Sequence, residues 1–145
     1  MSRDVETQLQ AGLIALLNAA TPVRASATVV PWNNVLGLEK YPAVAVQIDT
    51  GFQPAEDPGR GALYECGAGI GVITDLAYDR SAATCNRLLS NVRDAICHAS
   101  ALSDINAAMS GVVAGSMEIE GGEAGISETE QNIRTIRVRF FAVAT

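Results

Sequence analysis

Cys97 and His98 are adjacent in the sequence, and they are the first residues whose types suggest catalysis. A thiol beside an imidazole base can act as a nucleophile. Adjacent residues on a helix, however, project about 100° apart and do not face each other. Because His98 is the only histidine of the chain, no second imidazole is available as a base or a metal ligand. We therefore interpret the pair as a core cysteine followed by a histidine whose charge suits the end of a helix.

The run CGAGIGVIT, residues 66–74, has the glycine content of a phosphate-binding loop. The dinucleotide-binding fingerprint requires three glycines spaced G-x-G-x-x-G between a strand and a helix. Counted from Gly67, the third of these positions is Val72, and the glycines fall within a strand pattern. The run therefore predicts a strand in which glycine permits a bulge or the close approach of a neighbouring group, and not a nucleotide site.

An acidic cluster follows near the C-terminal end, formed by Glu118, Glu120, Glu123, Glu128 and Glu130. Paired carboxylates perform acid–base catalysis only where a pocket raises one of their pKa values. The cluster is divided between a predicted strand and a loop, which favours solvated charge, with a partner-binding surface as the alternative. The sequence also lacks the short motifs of P-loop proteins, zinc proteases, serine hydrolases and EF-hands. We therefore predict no enzyme activity, no cofactor and no metal site.

The three cysteines are Cys66, Cys85 and Cys97, an odd number whose spacing fits no zinc site. Cys85 and Cys97 fall on one predicted helix, where their separation in sequence places them about 18 Å apart. A disulfide joins Cα atoms that are no more than about 7 Å apart. We therefore predict three reduced thiols, as in a cytosol-like compartment.

The composition is typical of a globular protein: 145 residues, of which 48% are hydrophobic and 18% are charged. This length predicts a single domain over residues 1–145. A formal net charge of −6 with only 10 basic residues argues against general attraction to nucleic acid or anionic lipid. No apolar run reaches the length of a membrane span, and MSRDVETQ is not followed by the apolar segment of a secretory signal.

Hydrophobic periodicity predicts the helices and strands that must position these residues. Helices are predicted over residues 4–19, from residue 75 or 79 to about residue 99, and briefly within residues 101–111, where Ser103 is the expected cap. Strands are predicted over residues 23–30, 42–50, 62–74, 112–120 and 133–143. This order indicates an α+β fold in which two helices pack on one face of a mainly antiparallel sheet of four to five strands.

The last predicted strand has an apolar face and a mixed face, which alternate along residues 133–143. The apolar face, which we expect to lie under the helices, consists of Ile136, Val138 and Phe140. The mixed face consists of Arg137, Arg139, Phe141 and Val143. A sheet face that combines arginine with large apolar side chains is typical of a protein–protein contact surface.

Antiparallel pairing with residues 112–120 extends both faces. The core face is expected to gain Val113, Met117 and Ile119, and the mixed face to gain Val112, Ala114, Glu118 and Glu120. Glutamates opposite arginines stabilise a ladder by about 0.2–1 kcal/mol per pair, which accounts for the arginines locally. This charge pairing does not account for the apolar residues on the mixed face. We therefore predict an assembly surface consisting of Arg137, Arg139, Phe141, Glu118 and Glu120.

A second candidate contact region is the loop TGFQPAEDPGRG, residues 50–61, which is rich in proline and glycine. Its length and polarity predict that it is mobile in a free subunit and becomes ordered against a neighbouring subunit or another partner. The candidate contact residues in this loop are Phe52, Glu56, Asp57 and Arg60.

Five features of the chain follow one another in a characteristic order. An amphipathic N-terminal helix precedes the strand PAVAVQI at residues 42–48 and a long loop. The helix entry YDRSAA at residues 78–83 then leads into LLSNVRDAI at residues 88–96, and the ribbon EQNIRTIRVRFFAVA occupies residues 130–144. Over nearly its whole length, the chain resembles the tail terminator, or tail-completion, proteins of long-tailed bacteriophages.

This resemblance implies a structural virion protein without catalytic chemistry. Proteins of this family form a hexameric ring that caps the tail tube, ends its polymerisation and joins it to the head. The implied partners are further copies of the chain, the major tail tube protein and the head–tail connector protein. Double-stranded DNA passes through the lumen without specific binding, which an acidic protein suits, and no membrane or cofactor is involved. The implied location is the tail–neck region of the virion, and the host cytoplasm during assembly.

Other functions remain open at this point. A head-completion or tail-tube protein of a similar virion would also be a small ring-forming α+β or β-rich subunit. A small-molecule-binding α+β regulatory domain would use the uncovered sheet face and the glycines of residues 67–71 as its site. An enzyme is the third alternative. The mass of the assembled protein distinguishes these classes, because a terminator forms rings of six whereas a regulatory domain is expected to be a dimer that responds to a metabolite.

Overall fold

Helices and strands alternate in an irregular order in the computed structural model, which describes residues 5–32, 41–49, 53–54, 62–126 and 130–144. The helices are α1 Val5–Ala19, α2 Thr21–Arg24, α3 Ala83–Cys97 and α4 Ala101–Ala107. The strands are β1 Thr28–Pro31, β2 Ala43–Ile48, β3 Gln53–Pro54, β4 Ala62–Asp75, β5 Val112–Ile126 and β6 Gln131–Ala144. In the described part of the chain, no helix has both the length and the apolar character needed to cross a membrane.

Five strands form one sheet in the order β1-β2-β4-β6-β5, and the two-residue β3 pairs with β4 beside them. β1 and β2 run parallel, whereas the other described pairs are antiparallel. The predicted α+β fold with a mainly antiparallel sheet is therefore confirmed. β6 lies inside the sheet, with a long ladder to β4 on one side and to β5 on the other.

A single hydrophobic core fills the space between the helices and one face of the sheet. The two long helices, α1 and α3, each bury one apolar stripe in it, and the short helices α2 and α4 add Val23 and Ile105. From the sheet, β2 contributes Val44 and Val46, and β6 contributes Phe140. Each large side chain buried in this way stabilises the fold by about 1.5–3 kcal/mol. The predicted layer of two helices on one face is thus confirmed, with two short helices added.

The predicted strand over residues 23–30 is wrong in its first half. Thr21–Arg24 form the short helix α2, with Pro22 at its N-terminal end, where proline loses no helical hydrogen bond. Val23 is fully buried from this helix, so its side chain reaches the core without belonging to a strand. Only Thr28–Pro31 pair with β2.

α3 begins later than either predicted start, at Ala83. The residues before it form turns, and Tyr78, which a helix starting at residue 75 would have included, is 92% exposed there. α4 begins after Ser100, so the predicted cap, Ser103, lies inside that helix. Cys97, which we expected in the core, is exposed at the end of α3.

A β-bulge in β5 reverses the predicted faces at the start of that strand. The register with β6 shifts between Ala114 and Ser116, which leaves Gly115 as the additional residue. Val112 and Ala114 are therefore buried under the helices, although we predicted them on the opposite face. Val113, predicted in the core, is instead 47% exposed. A bulge inserts one residue into the alternation, so every side chain before it changes face relative to the simple pattern.

The ribbon formed by β5 and β6 is longer than predicted. The segment that we interpreted as a loop, residues 121–132, belongs mostly to the two strands, because β5 extends to Ile126 and β6 begins at Gln131. Glycines of β5 pair here with apolar residues of β6: Gly122 lies opposite Ile136, and Gly125 lies opposite Ile133. The β-branched residues of β6 thus maintain the pairing where β5 has low strand propensity.

Candidate assembly surface

We call the sheet face turned away from the helices the outer face. Residues of β6 alternate strictly between the two faces: Ile136, Val138 and Phe140 are buried in the core, as predicted from the sequence. Between them, Arg137, Arg139 and Phe141 point to the outer face and are exposed. The last strand therefore has the predicted mixed face. Its arginines and its apolar side chains have different neighbours.

Both arginines of the outer face form ion pairs within the subunit. Arg139 Nε lies 2.9 Å from Glu65 Oε1 and 3.0 Å from Glu120 Oε1. Arg137 Nη2 lies 2.5 Å from Asp49 Oδ2, so its partner is not Glu118 or Glu120, as we predicted. These side chains are between one third and one half exposed, and ion pairs of this kind contribute about 0–1 kcal/mol each. The arginines are therefore neutralised locally and are not free to attract a partner.

The Asp49–Arg137 ion pair crosses over β4, and a glycine leaves room for it. A Cβ atom on Gly67 would lie 2.5 Å from Asp49 Oδ2. At the other end of β4, a Cβ atom on Gly71 would lie 2.9 Å from Trp32 Cζ3, because the indole covers that glycine. The close approach predicted from the glycines of this strand is thus confirmed at two positions. Both neighbouring groups, the Asp49 carboxylate and the Trp32 indole, belong to the same chain.

An apolar patch lies on the outer face beside these ion pairs. Val113 is 47% exposed and Phe141 is 36% exposed. Val143, which is half-buried, lies directly opposite Val113 in the ladder. We call Val113, Phe141 and Val143 the outer apolar patch. Aromatic residues in a patch of this type are enriched at protein interfaces, whereas a single exposed apolar residue needs no such explanation.

A buried polar cluster positions the N-terminal end of α3. The carboxylate of Asp79 accepts hydrogen bonds from the backbone N–H groups of Thr84 and Cys85, at 3.0 and 2.9 Å, and from the Thr74 hydroxyl at 2.8 Å. Asn132 of β6 donates to the Asp79 carbonyl oxygen at 2.7 Å. Asp79 thus caps α3 although three residues separate it from the first helical residue, Ala83, and the last of the three, Ala82, adopts a left-handed conformation with φ 59°.

The pKa of Asp79 is lowered below its usual value of 3.8. Burial alone raises the pKa, but the hydrogen bonds from Cys85, Thr84 and Thr74 and the charge of Arg134 together outweigh it. The side chain is therefore ionised at neutral pH. Because each of its hydrogen-bond donors stabilises the fold of α3, we interpret this cluster as structural and not as a catalytic acid.

His98 takes part in a chain of polar groups that has the composition of a catalytic triad. Ser100 Oγ lies 2.9 Å from His98 Nδ1 and donates to Asp104 Oδ2 at 3.0 Å. In a triad the aspartate binds the histidine and the serine gives its proton to that histidine. Here the aspartate receives the serine proton, and the Ser100 N–H donates to Nδ1 at 3.2 Å. All three groups are exposed, so this arrangement caps a turn between α3 and α4 and does not activate a nucleophile.

The thiols of Cys66 and Cys85 are buried and are poor nucleophiles. Burial raises the pKa of Cys66 to about 12, with further contributions from the charges of Asp49, Glu6 and Glu65. Burial likewise raises the pKa of Cys85, whose Sγ lies 3.6 Å from the Val72 carbonyl oxygen. Thiolate is the reactive form of cysteine, so neither residue is activated. Among the described residues, no three His, Cys, Asp or Glu side chains are grouped so that they could hold a metal ion.

The remaining predicted contact residues lie elsewhere. Glu118 is exposed and lies opposite Arg139 in the ladder, while Glu120 contacts that arginine directly. The loop residues Phe52, Glu56, Asp57 and Arg60 lie outside the described residues. Val113 was not predicted to lie at the surface, and Gly115 was the only local signal of the bulge that exposes it.

Comparisons with known proteins give matches among solved structures. Neither the protein-family models nor the curated proteins contain a match to this chain. Among solved structures, the chain is similar to a chain in a structure described as a virion of a native gene transfer agent particle. The two chains share 20% sequence identity and a TM-score of 0.72, with 99% of this chain and 100% of the other covered. The fold is shared over the whole length of both chains.

Proposed function

We propose that this chain is a structural, non-catalytic virion protein that assembles with further copies of itself into a ring. The observation that supports the proposal most strongly is the fold shared from end to end with a chain of a gene transfer agent virion. The order of sequence features, which resembles that of phage tail terminators, points in the same direction and does not depend on that comparison.

In this proposal, six copies cap the tail tube in the tail–neck region of the virion, after assembly in the host cytoplasm. The ring ends the polymerisation of the major tail tube protein and provides the joint to the head–tail connector protein. Double-stranded DNA passes through the lumen. The net charge of −6 supports this role, because an acidic surface repels the phosphate backbone and allows DNA to slide.

The outer face provides one of the two surfaces that a ring requires. Within the predicted set, Arg137 and Arg139 are already paired inside the subunit, so we assign the contact mainly to the outer apolar patch. Phe141 and Val113 provide the apolar area, and the ion pairs surround it as a polar rim. Central aromatic residues surrounded by such a rim dominate the binding energy of many interfaces.

The assembly state of the purified chain tests the ring directly. We expect native mass spectrometry to detect a hexamer, either alone or in the presence of tail tubes. When added to polymerising tail tube protein, the chain should stop tube growth and remain at one end of each tube. A chain that binds the connector but leaves tube growth unchanged is a head-completion protein instead. A chain that stays monomeric under all these conditions contradicts the proposal.

A pair of double variants tests the outer apolar patch. Val113→Ser with Phe141→Ser removes the exposed apolar groups and leaves every described ion pair intact. We expect a folded monomer whose association is weakened by about 2 kcal/mol or more per contact, or roughly 30-fold. The matched control, Asp49→Ala with Arg137→Ala, removes one whole ion pair from the same face and should still form rings. Rings of wild-type stability in the first variant would exclude this surface.

A further inference from the structure

The exposed side chains of α3 include two arginines and one aspartate, Asp94, so this helix has a net positive charge in an otherwise acidic chain. Arg87 and Arg93 project from the helix, and Arg80 lies in the turn before it; all three are exposed. None of them forms an ion pair with a residue that the structure describes. Arg134 of β6 lies beside them and donates to Asn86 Oδ1 at 3.1 Å. We call Arg80, Arg87, Arg93 and Arg134 the α3 arginine surface.

The opposite charge is concentrated on β5, at the edge of the sheet. Among the strands that the structure describes, β5 pairs with β6 alone, and the backbone of its other edge is available for a further chain. At Ala114 this edge is closed by the Asn106 side chain of α4, which accepts from the backbone N–H at 2.7 Å and donates to the carbonyl oxygen at 2.9 Å. Beyond the bulge, Glu118, Glu120 and Glu123 are exposed. Of these three, only Glu120 has an ion-pair partner among the described residues.

We infer that the α3 arginine surface of one protomer receives the glutamate-bearing edge of β5 from the next protomer. This inference rests on the proposed ring. A closed ring requires a heterologous contact, in which two different surfaces of the same chain meet. The structure provides two such surfaces with opposite charge, one on α3 and one on β5. Together with the outer apolar patch beside β5, these two charged surfaces determine which surface of one copy contacts which surface of the next.

The dimensions of the two surfaces agree. From Glu118 to Glu123 the strand advances by about 13 Å, because a bulge between Ile119 and Gly121 leaves only four residue steps of β6 opposite this segment. The 15 residues of α3 extend over about 22 Å, so the helix can contact all three glutamates of β5 at once. Complementary charge of this kind selects the register and the partner more than it adds affinity. The pairing would therefore favour a neighbour in one orientation over random association.

Charge reversal on each surface, followed by mixing, tests this pairing. The first variant carries Arg87→Glu with Arg93→Glu, and the second carries Glu118→Arg with Glu123→Arg. We expect each variant alone to be folded and at least about tenfold less able to form rings, because like charges now face each other. In an equimolar mixture, each reversed surface meets a surface of opposite charge, so alternating rings should form. Arg24→Glu and Glu6→Arg, which reverse exposed charges elsewhere, serve as matched controls and should assemble normally.

Four other outcomes contradict the inference in distinguishable ways. Wild-type rings from either variant alone exclude the charge pairing but leave the ring itself intact. Failure of the mixture to assemble, with both variants folded by circular dichroism, excludes the pairing of these two surfaces. Normal rings that have lost retention of double-stranded DNA assign the α3 arginine surface to DNA instead. A wild-type chain that never assembles overturns the proposed ring, and this inference with it.

Cys97 provides a second measurement that requires no substitution. It is exposed on α3, one turn after Arg93, whereas the other two cysteines are buried. We expect a maleimide to label Cys97 rapidly in the charge-reversed monomers and at least about tenfold more slowly in wild-type rings. Equal labelling rates in verified rings and monomers would show that this end of α3 remains open in the ring, which contradicts the inferred contact.

Discussion

Replacement of Asp79 by alanine is expected to cause a large loss of stability, because its carboxylate is the acceptor for three buried donors. The Thr84 and Cys85 N–H groups and the Thr74 hydroxyl all lie within 3.0 Å of it. Loss of a helix cap costs about 1 kcal/mol, and a buried polar group without a partner costs about 1–3 kcal/mol. We therefore expect the free energy of unfolding to fall by about 3 kcal/mol, which lowers Tm by about 6–12 °C in a chain of this length.

Urea denaturation followed by far-UV circular dichroism measures this change. The matched control is Asp94→Ala, which removes an exposed carboxylate from the same helix and should change the free energy of unfolding by less than about 0.5 kcal/mol. A loss below about 1 kcal/mol for Asp79→Ala would refute the reasoning. It would show that water or a local shift satisfies the three donors.

The contribution of Asp79 to the free energy of unfolding should also depend on pH. Its folded pKa is lowered below 3.8, so the ionised carboxylate stabilises the folded state above its unfolded pKa. This contribution is lost as the pH falls through the lowered folded value. The difference in unfolding free energy between wild type and Asp79→Asn should thus be constant from about pH 5 to 7 and should shrink below about pH 4. A difference that is unchanged at low pH contradicts this assignment.

Three further predictions concern the outer face and the unused nucleophiles. Gly71→Ala should displace Trp32, with a loss of about 1–3 kcal/mol and a shift in indole fluorescence, whereas Gly69→Ala, whose nearest neighbour is 4.0 Å away, should leave both unchanged. A thiol reagent at pH 8 should modify only Cys97 in the native chain, since burial raises the pKa of both other thiols; modification of all three without denaturant would contradict the structure. His98→Gln should change stability by less than about 1 kcal/mol and leave ring formation intact, and loss of assembly by the folded variant would give His98 a role that its contacts do not explain.

Local patterns in the sequence were sufficient to predict β6 and its two faces. Ile136, Val138 and Phe140 alternate with polar or differently exposed residues, and this alternation survives in the structure because β6 has neighbours on both sides. At the start of β5, by contrast, Val112 and Val113 are followed by a further apolar residue. Such a run contains no alternation, so only the bulge and the packing of the helices decide which side chain is buried.

Long-range contacts explain the other differences. Asp49, which pairs with Arg137, is 88 residues away in the sequence, so the arginine was assigned instead to the glutamates of the adjacent strand. Val23 is an apolar residue that suits a strand, but in the structure its side chain is buried in the core from the short helix α2, which has a proline at its N-terminal end. The α3 arginine surface is visible in the sequence as residues outside the apolar stripe, but its opposite charge on β5 becomes evident only once the sheet order is known.

The position of β6 inside the sheet has a consequence for when subunits can assemble. During synthesis, β4 and β5 leave the ribosome before the strand that joins them, and many of the contacts that complete the sheet connect distant parts of the chain. Until β6 emerges, β5 has no described strand partner, and Phe141 and its neighbours on the outer face do not yet exist as a surface. Nascent chains on neighbouring ribosomes therefore lack this face, and the proposed ring would form only from subunits whose sheet is complete.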